Sequence, residues 1–99
     1  CERINFMKTY SLIDDLRAVR DLLQGRGRTK QRLEDEEGRI CLTRAIDIVA
    51  AGDWRRNLDI ERQLLAANGN KHWPGQLWRF NDTNDDQAVF DLIDRALAE

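Results

Sequence analysis

"RFNDTNDDQAVFDLIDR", residues 79–95, admits two incompatible readings, and the choice between them sets the fold. Asp82, Asn84 and Asp86 stand at alternate positions, as the first three ligands of a calcium-binding EF-hand loop do. Such a loop also needs Gly at its sixth position and a bidentate Glu at its twelfth, and here those places hold Gln87 and Ile93. The sharp turn is not enabled, and the closing ligand is replaced by an apolar residue. The other reading uses the whole stretch. Val89, Leu92, Ile93, Ala96 and Leu97 repeat at the spacing of a helix with one apolar face. Thr83 or Asn84 then serves as N-cap, and Asp85 and Asp86 lie in the first turn, where the helix dipole favours negative charge. The stretch is a helix entrance, and no metal is assigned to it.

The same period recurs upstream. Leu12, Leu16, Val19 and Leu23 share a face, which predicts a helix over residues 11–24 with Ser11 as N-cap and Gly25 and Gly27 as the stop. Leu42, Ala45, Ile46 and Val49 predict a second, short helix capped by Thr43 and ended by Gly52. Leu58, Ile60, Leu64, Leu65 and Ala67 predict a third, closed by Asn68 and Gly69. Between the first two lies "LEDEEGRI", residues 33–40. Asp35 and Gly38 occupy the ends of a type I turn, so the segment reads as a short β-hairpin that folds Leu33 and Ile40 onto the core, with Gly38 left-handed. "NKHWPGQLWRFND", residues 70–82, breaks the helical period and holds the only Pro. It reads as an ordered aromatic loop with Trp78 and Phe80 packed inward.

The expected fold is therefore mainly α, with about four helices in one small domain and a hairpin after the first helix. Ninety-nine residues suit a single core. Residues 7–99 form that domain, and residues 1–6, ahead of Met7, read as an upstream or expression-derived tail. With 41% hydrophobic and 34% charged residues the chain has material for an interior and a charge-rich surface. No apolar run approaches the roughly 18 residues that span a bilayer, and the N-terminus lacks the apolar centre of a signal peptide, so a cytoplasmic setting is expected. Cys1 and Cys41 make no metal-binding pair, and Cys41, between apolar neighbours, reads as a small core residue.

Net charge is only −2, but residues 1–32 carry eight Lys or Arg against four Asp or Glu, and each later third is acidic. Arg26, Arg28, Lys30 and Arg32 alternate in "GRGRTKQR". In an extended segment they would project from one face toward successive phosphates, the basis of a nucleic-acid reading. Against it stand the acidic balance of the whole chain and the acidic cluster Glu34 to Glu37, with which these cations can pair. "GRGR" lacks the Lys-Ser/Thr ending of a phosphate-binding loop. His72 is the only histidine and has no nucleophile in a catalytic context near it, so catalytic and cofactor residues are not assigned. Trp is enriched at binding hot spots, and Trp54 and Trp73, with His72 beside the latter, are the candidates for partner contact.

The leading helix, "DEEGRICLTRAI" (residues 35–46) and "WRFNDTNDDQAVFDLIDRALAE" (residues 78–99) together resemble a family of small actinobacterial and actinobacteriophage domains of unknown function. The specific points are Gly38, Arg39, Cys41, Leu42, Ala45, Asn81, Asp82 and Val89, over about residues 9–98. Relatives tend to have Gly where this chain has Arg44 and Trp where it has Phe80. The resemblance implies no activity or cofactor. It places Asn81 and Asp82 just after an aromatic anchor, where they are expected to tie the aromatic loop to backbone and set the start of the last helix. The functional expectation is a non-enzymatic module that binds another protein, with homo-oligomerisation open and a nucleic-acid-binding regulator as the alternative.

Overall fold

A computed structural model of the chain describes residues 11–69 and 77–98. Among them are five helices: α1 (Leu12–Arg26), α2 (Leu42–Ala50), α3 (Trp54–Ala67), α4 (Leu77–Thr83) and α5 (Asp86–Ala98). The apolar period predicts which faces are buried. Leu16, Val19 and Leu23 of α1 meet Leu42, Ala45 and Ile46 of α2, Ile60, Leu64 and Leu65 of α3, and Val89, Leu92, Ile93 and Ala96 of α5 in one cluster. Helix α1 packs on α2, α3 and α5, while α2 also carries α4 and α3 also carries α5.

Capping decides where each helix begins. Ser11 starts α1 as expected, its hydroxyl accepting from the Asp14 N–H at 3.2 Å. The helix runs past Gly25 because Gly27, not Gly25, takes the positive φ of 86° and donates its N–H to the Leu23 carbonyl. Helix α2 is capped by Cys41 and not by Thr43: the Cys41 sulfur accepts from the Arg44 N–H at 3.3 Å. Helix α3 starts a turn earlier than its apolar period suggests. Asp53 accepts from the N–H groups of Arg55 and Arg56, and the polar first turn it supports has no apolar stripe to announce it. Asp85, rather than Thr83 or Asn84, caps α5 by accepting from Ala88 N–H at 2.9 Å.

Two expectations are corrected. The hairpin is reduced to isolated bridges, with Ile40 paired parallel to Arg28 on one side and antiparallel to Glu34 on the other. The turn itself forms, with Gly38 at φ 83° donating to the Asp35 carbonyl and Asp35 donating to that of Arg39. Its flanks are Arg, Gln, Lys and Glu, poor strand formers that do not extend the ladder. Ile40 is fully buried, whereas Leu33 stays 55% exposed. Residues 77–83 of the expected aromatic loop are helix α4. Leu77, Phe80 and Asn81 share a buried helical face, and Trp78, turned about 100° away, lies 47% exposed instead of in the core.

Candidate functional site

Asn81 is fully buried and every polar atom of its side chain is used. Its Oδ1 accepts from the Leu42 N–H at the first position of α2 (3.1 Å) and from Arg28 Nη1 (3.2 Å). Its Nδ2 donates to the Thr29 carbonyl (2.9 Å) and to Asp82 Oδ1 (3.2 Å). Asp82 in turn accepts from the Gln31 N–H at 2.8 Å, holding Gln31 at a left-handed φ of 65°. Asn81 and Asp82 thus bind backbone, but of the segment 29–31 and of α2, not of the aromatic stretch around them.

Arg28 completes this junction. Its side chain is 3% exposed; Nε donates to Asp86 Oδ1 at 2.7 Å, Nη2 to the Asn84 carbonyl at 2.8 Å and Nη1 to the Asn81 carbonyl. With Thr83 donating to the Arg79 carbonyl and Asn84 to that of Phe80, the carbonyls of Arg79, Phe80 and Asn81 in the last turns of α4 each accept from a side chain. Of the alternate residues of the opening stretch, Asp82 therefore accepts from Gln31, Asp86 from Arg28, and Asn84 donates through its Nδ2 to the Phe80 carbonyl. Among the described residues no cluster of three or more His, Cys, Asp or Glu side chains is placed to hold a metal.

On the solvent side of this junction lies an apolar groove of about 340 Å³, floored by Cys41 and walled by Leu33 and Trp78, with Gln31, Arg32 and Asp82 at its edge. Arg79 stacks over the Trp78 ring at 5.3 Å. A second, more polar cleft of about 600 Å³ runs between α2 and α3 past Arg44, Asp47, Asn57 and Trp54, and Trp54 is 67% exposed. Asn57 donates to Asp47 across its floor at 2.6 Å.

The four cations of the 26–32 segment do not share one face. Arg26 bonds the Gly38 carbonyl and pairs with Glu34, and Arg28 is turned inward, while Lys30 and Arg32 are exposed. The expected pairing across the turn is thus made by Arg26, and it leaves two cations for solvent. Trp73 and His72 lie outside the described residues. Sequence reasoning missed the exposure of Leu33 and Trp78, and the one signal available was the Leu77–Phe80 pair at i, i+3, which already implied a helix with Trp78 off its apolar face.

The junction and groove define a class: a small helical domain with its polar groups spent on architecture and its large apolar groups partly on the surface. A family of unknown function, DUF6197, matches over residues 7–99, and the chain belongs to it. No curated protein and no solved structure matches the chain. No helix among the described residues is long and apolar enough to cross a membrane.

Proposed function

We propose that this chain is a non-enzymatic protein-binding module whose contact face is the Leu33–Trp78 groove, with Trp54 as a second contact. The observation that carries the reading is the exposure of Leu33 (55%), Trp54 (67%) and Trp78 (47%), which with Ile13 are the large hydrophobic side chains standing in solvent among the described residues. Aromatic side chains standing in solvent beside a groove are the usual anchors of protein interfaces. The reading takes residues 7–99 as the binding unit in a cytoplasmic setting. An actinobacterial or phage origin goes with it, supported by the resemblance at Gly38, Cys41, Asn81 and Asp82.

A photo-crosslinking amino acid placed at position 78, at 54, or at the exposed Arg17 of α1 as control, tests it in cells that express the chain. Protein adducts from 78 or 54 and none from 17 are expected; adducts that are nuclease-sensitive, or none at either position, would overturn it. A nucleic-acid-binding regulator is the alternative, and it rests on Lys30 and Arg32, which are exposed and form no ion pair among the described residues. Binding to DNA or RNA that falls steeply with salt would establish it.

A further inference from the structure

We infer that the Leu33–Trp78 groove takes a bulky apolar side chain presented by an acidic segment of a partner protein, an inference that rests on the protein-binding reading above. The floor and walls select the anchor. Leu33, Cys41 and Trp78 offer carbon and sulfur surface, and burying a large apolar side chain there removes apolar area on both partners from water.

The rim selects the flanking charge. Arg32 lines the groove and Arg79 lies over the Trp78 ring, while Lys30 lines a separate cleft with Asp85 and Asp86. Among the described residues neither Arg32 nor Arg79 forms an ion pair. Of the nearby acids only Glu34 is neutralised. Asp82 accepts from Gln31 N–H and from Asn81, and Glu34 pairs with Arg26. Arg32 and Arg79 thus stand against the single carboxylate of Asp82, and the rim keeps a net positive charge on a chain whose net charge is −2, a local reversal that attracts acidic partners and repels basic ones. A single-stranded nucleic acid also needs cations and an exposed ring, but Leu33 and Cys41 make a recess instead of a flat stacking platform.

The test follows the Trp78 indole N–H resonance in the labelled full chain, assigned through a Trp78→Phe variant. Short synthetic peptides carry a central Phe among Asp and Glu, a central Phe among Lys, or a central Ala among Asp and Glu; oligothymidylate is the fourth probe. The acidic Phe peptide is expected to move Trp78, and to bind about tenfold more weakly to the Arg32→Glu/Arg79→Glu protein or with Ala at its centre. Circular dichroism confirms that these surface variants fold. A Lys peptide binding as well as the acidic one, or no movement of Trp78 up to millimolar acidic peptide, overturns the inference. Movement by oligothymidylate alone overturns it in favour of nucleic acid. If the peptides fail while position 78 still crosslinks to protein, the acidic class falls and the protein-binding reading stands; failure of both removes that reading too.

Discussion

Asn81 makes three long-range hydrogen bonds from one buried side chain. It joins residues 29, 42 and 81 by hydrogen bonds in a site with no access to water. An Asn81→Leu chain keeps the side-chain size but strands the Leu42 N–H and the Thr29 carbonyl. At about 1–3 kcal/mol for each buried group left unsatisfied, the loss should exceed about 2 kcal/mol, read from the urea midpoint. Ala51 gives the opposite sign. It ends α2 at a left-handed φ of 53°, a conformation that costs an L-residue roughly 1–2 kcal/mol relative to Gly. Ala51→Gly is expected to raise stability by up to about 1 kcal/mol after the greater chain entropy of Gly is subtracted, measured as a higher melting temperature.

Between elements, ion pairs differ in worth according to their burial. Arg56 of α3 grips both oxygens of Asp15 of α1, at 2.8 and 3.2 Å, with side chains 17% and 7% exposed. Removing the guanidinium leaves a buried carboxylate behind, so Arg56→Met should cost about 3 kcal/mol. Arg20 and Asp94 join α1 to α5 at 2.8 Å but stand a third to a half exposed, and Arg20→Met should cost under about 1 kcal/mol. Parallel chemical denaturation of the two variants decides the ranking. The elements themselves were legible in sequence wherever an apolar stripe ran for two turns or more: the stripes of residues 12–23, 42–49, 58–67 and 89–97 all lie in helices. What escaped were features with no period. The first turn of α3 is polar, α4 offers only Leu77 and Phe80, and the cap of α2 is a cysteine whose neighbours made it look merely apolar. The groove escaped for the same reason, since Leu33 and Trp78 are hydrophobic by type, and only three-dimensional placement leaves them outside.

Over the whole molecule, the charge asymmetry of the sequence is folded away. Arg20–Asp94 and Arg28–Asp86 bring the basic first third onto the acidic last third. Acid should therefore loosen the chain, and the Asp35 turn sets part of the range. Burial by itself would raise the Asp35 carboxyl, but the Arg39 side chain at 2.5 Å and the N–H groups of Arg39 and Glu37 outweigh it and hold the group below its ordinary 3.8. A depressed carboxyl contributes stability that is complete above the unfolded value and disappears as pH falls through the folded one. The melting temperature of the native chain should exceed that of Asp35→Asn by a constant margin down to about pH 4, and the margin should close below it. Arg39 is half exposed, so the margin is small and narrows further with salt.

Synthesis of the chain runs in one direction, and the Leu42–Asn81 hydrogen bond runs against it. The oxygen that receives the first amide of α2 is made 39 residues after that amide, as the spacing of the bond shows. A nascent chain halted before α4 emerges from the ribosome thus carries α2 with its first amide unpaired, and the segment 28–31 without the bonds that Asn81 and Asp82 make to it. Only arrival of Phe80-Asn81-Asp82 closes both at once, which makes this short helix the latch of the domain although it is the smallest piece in it.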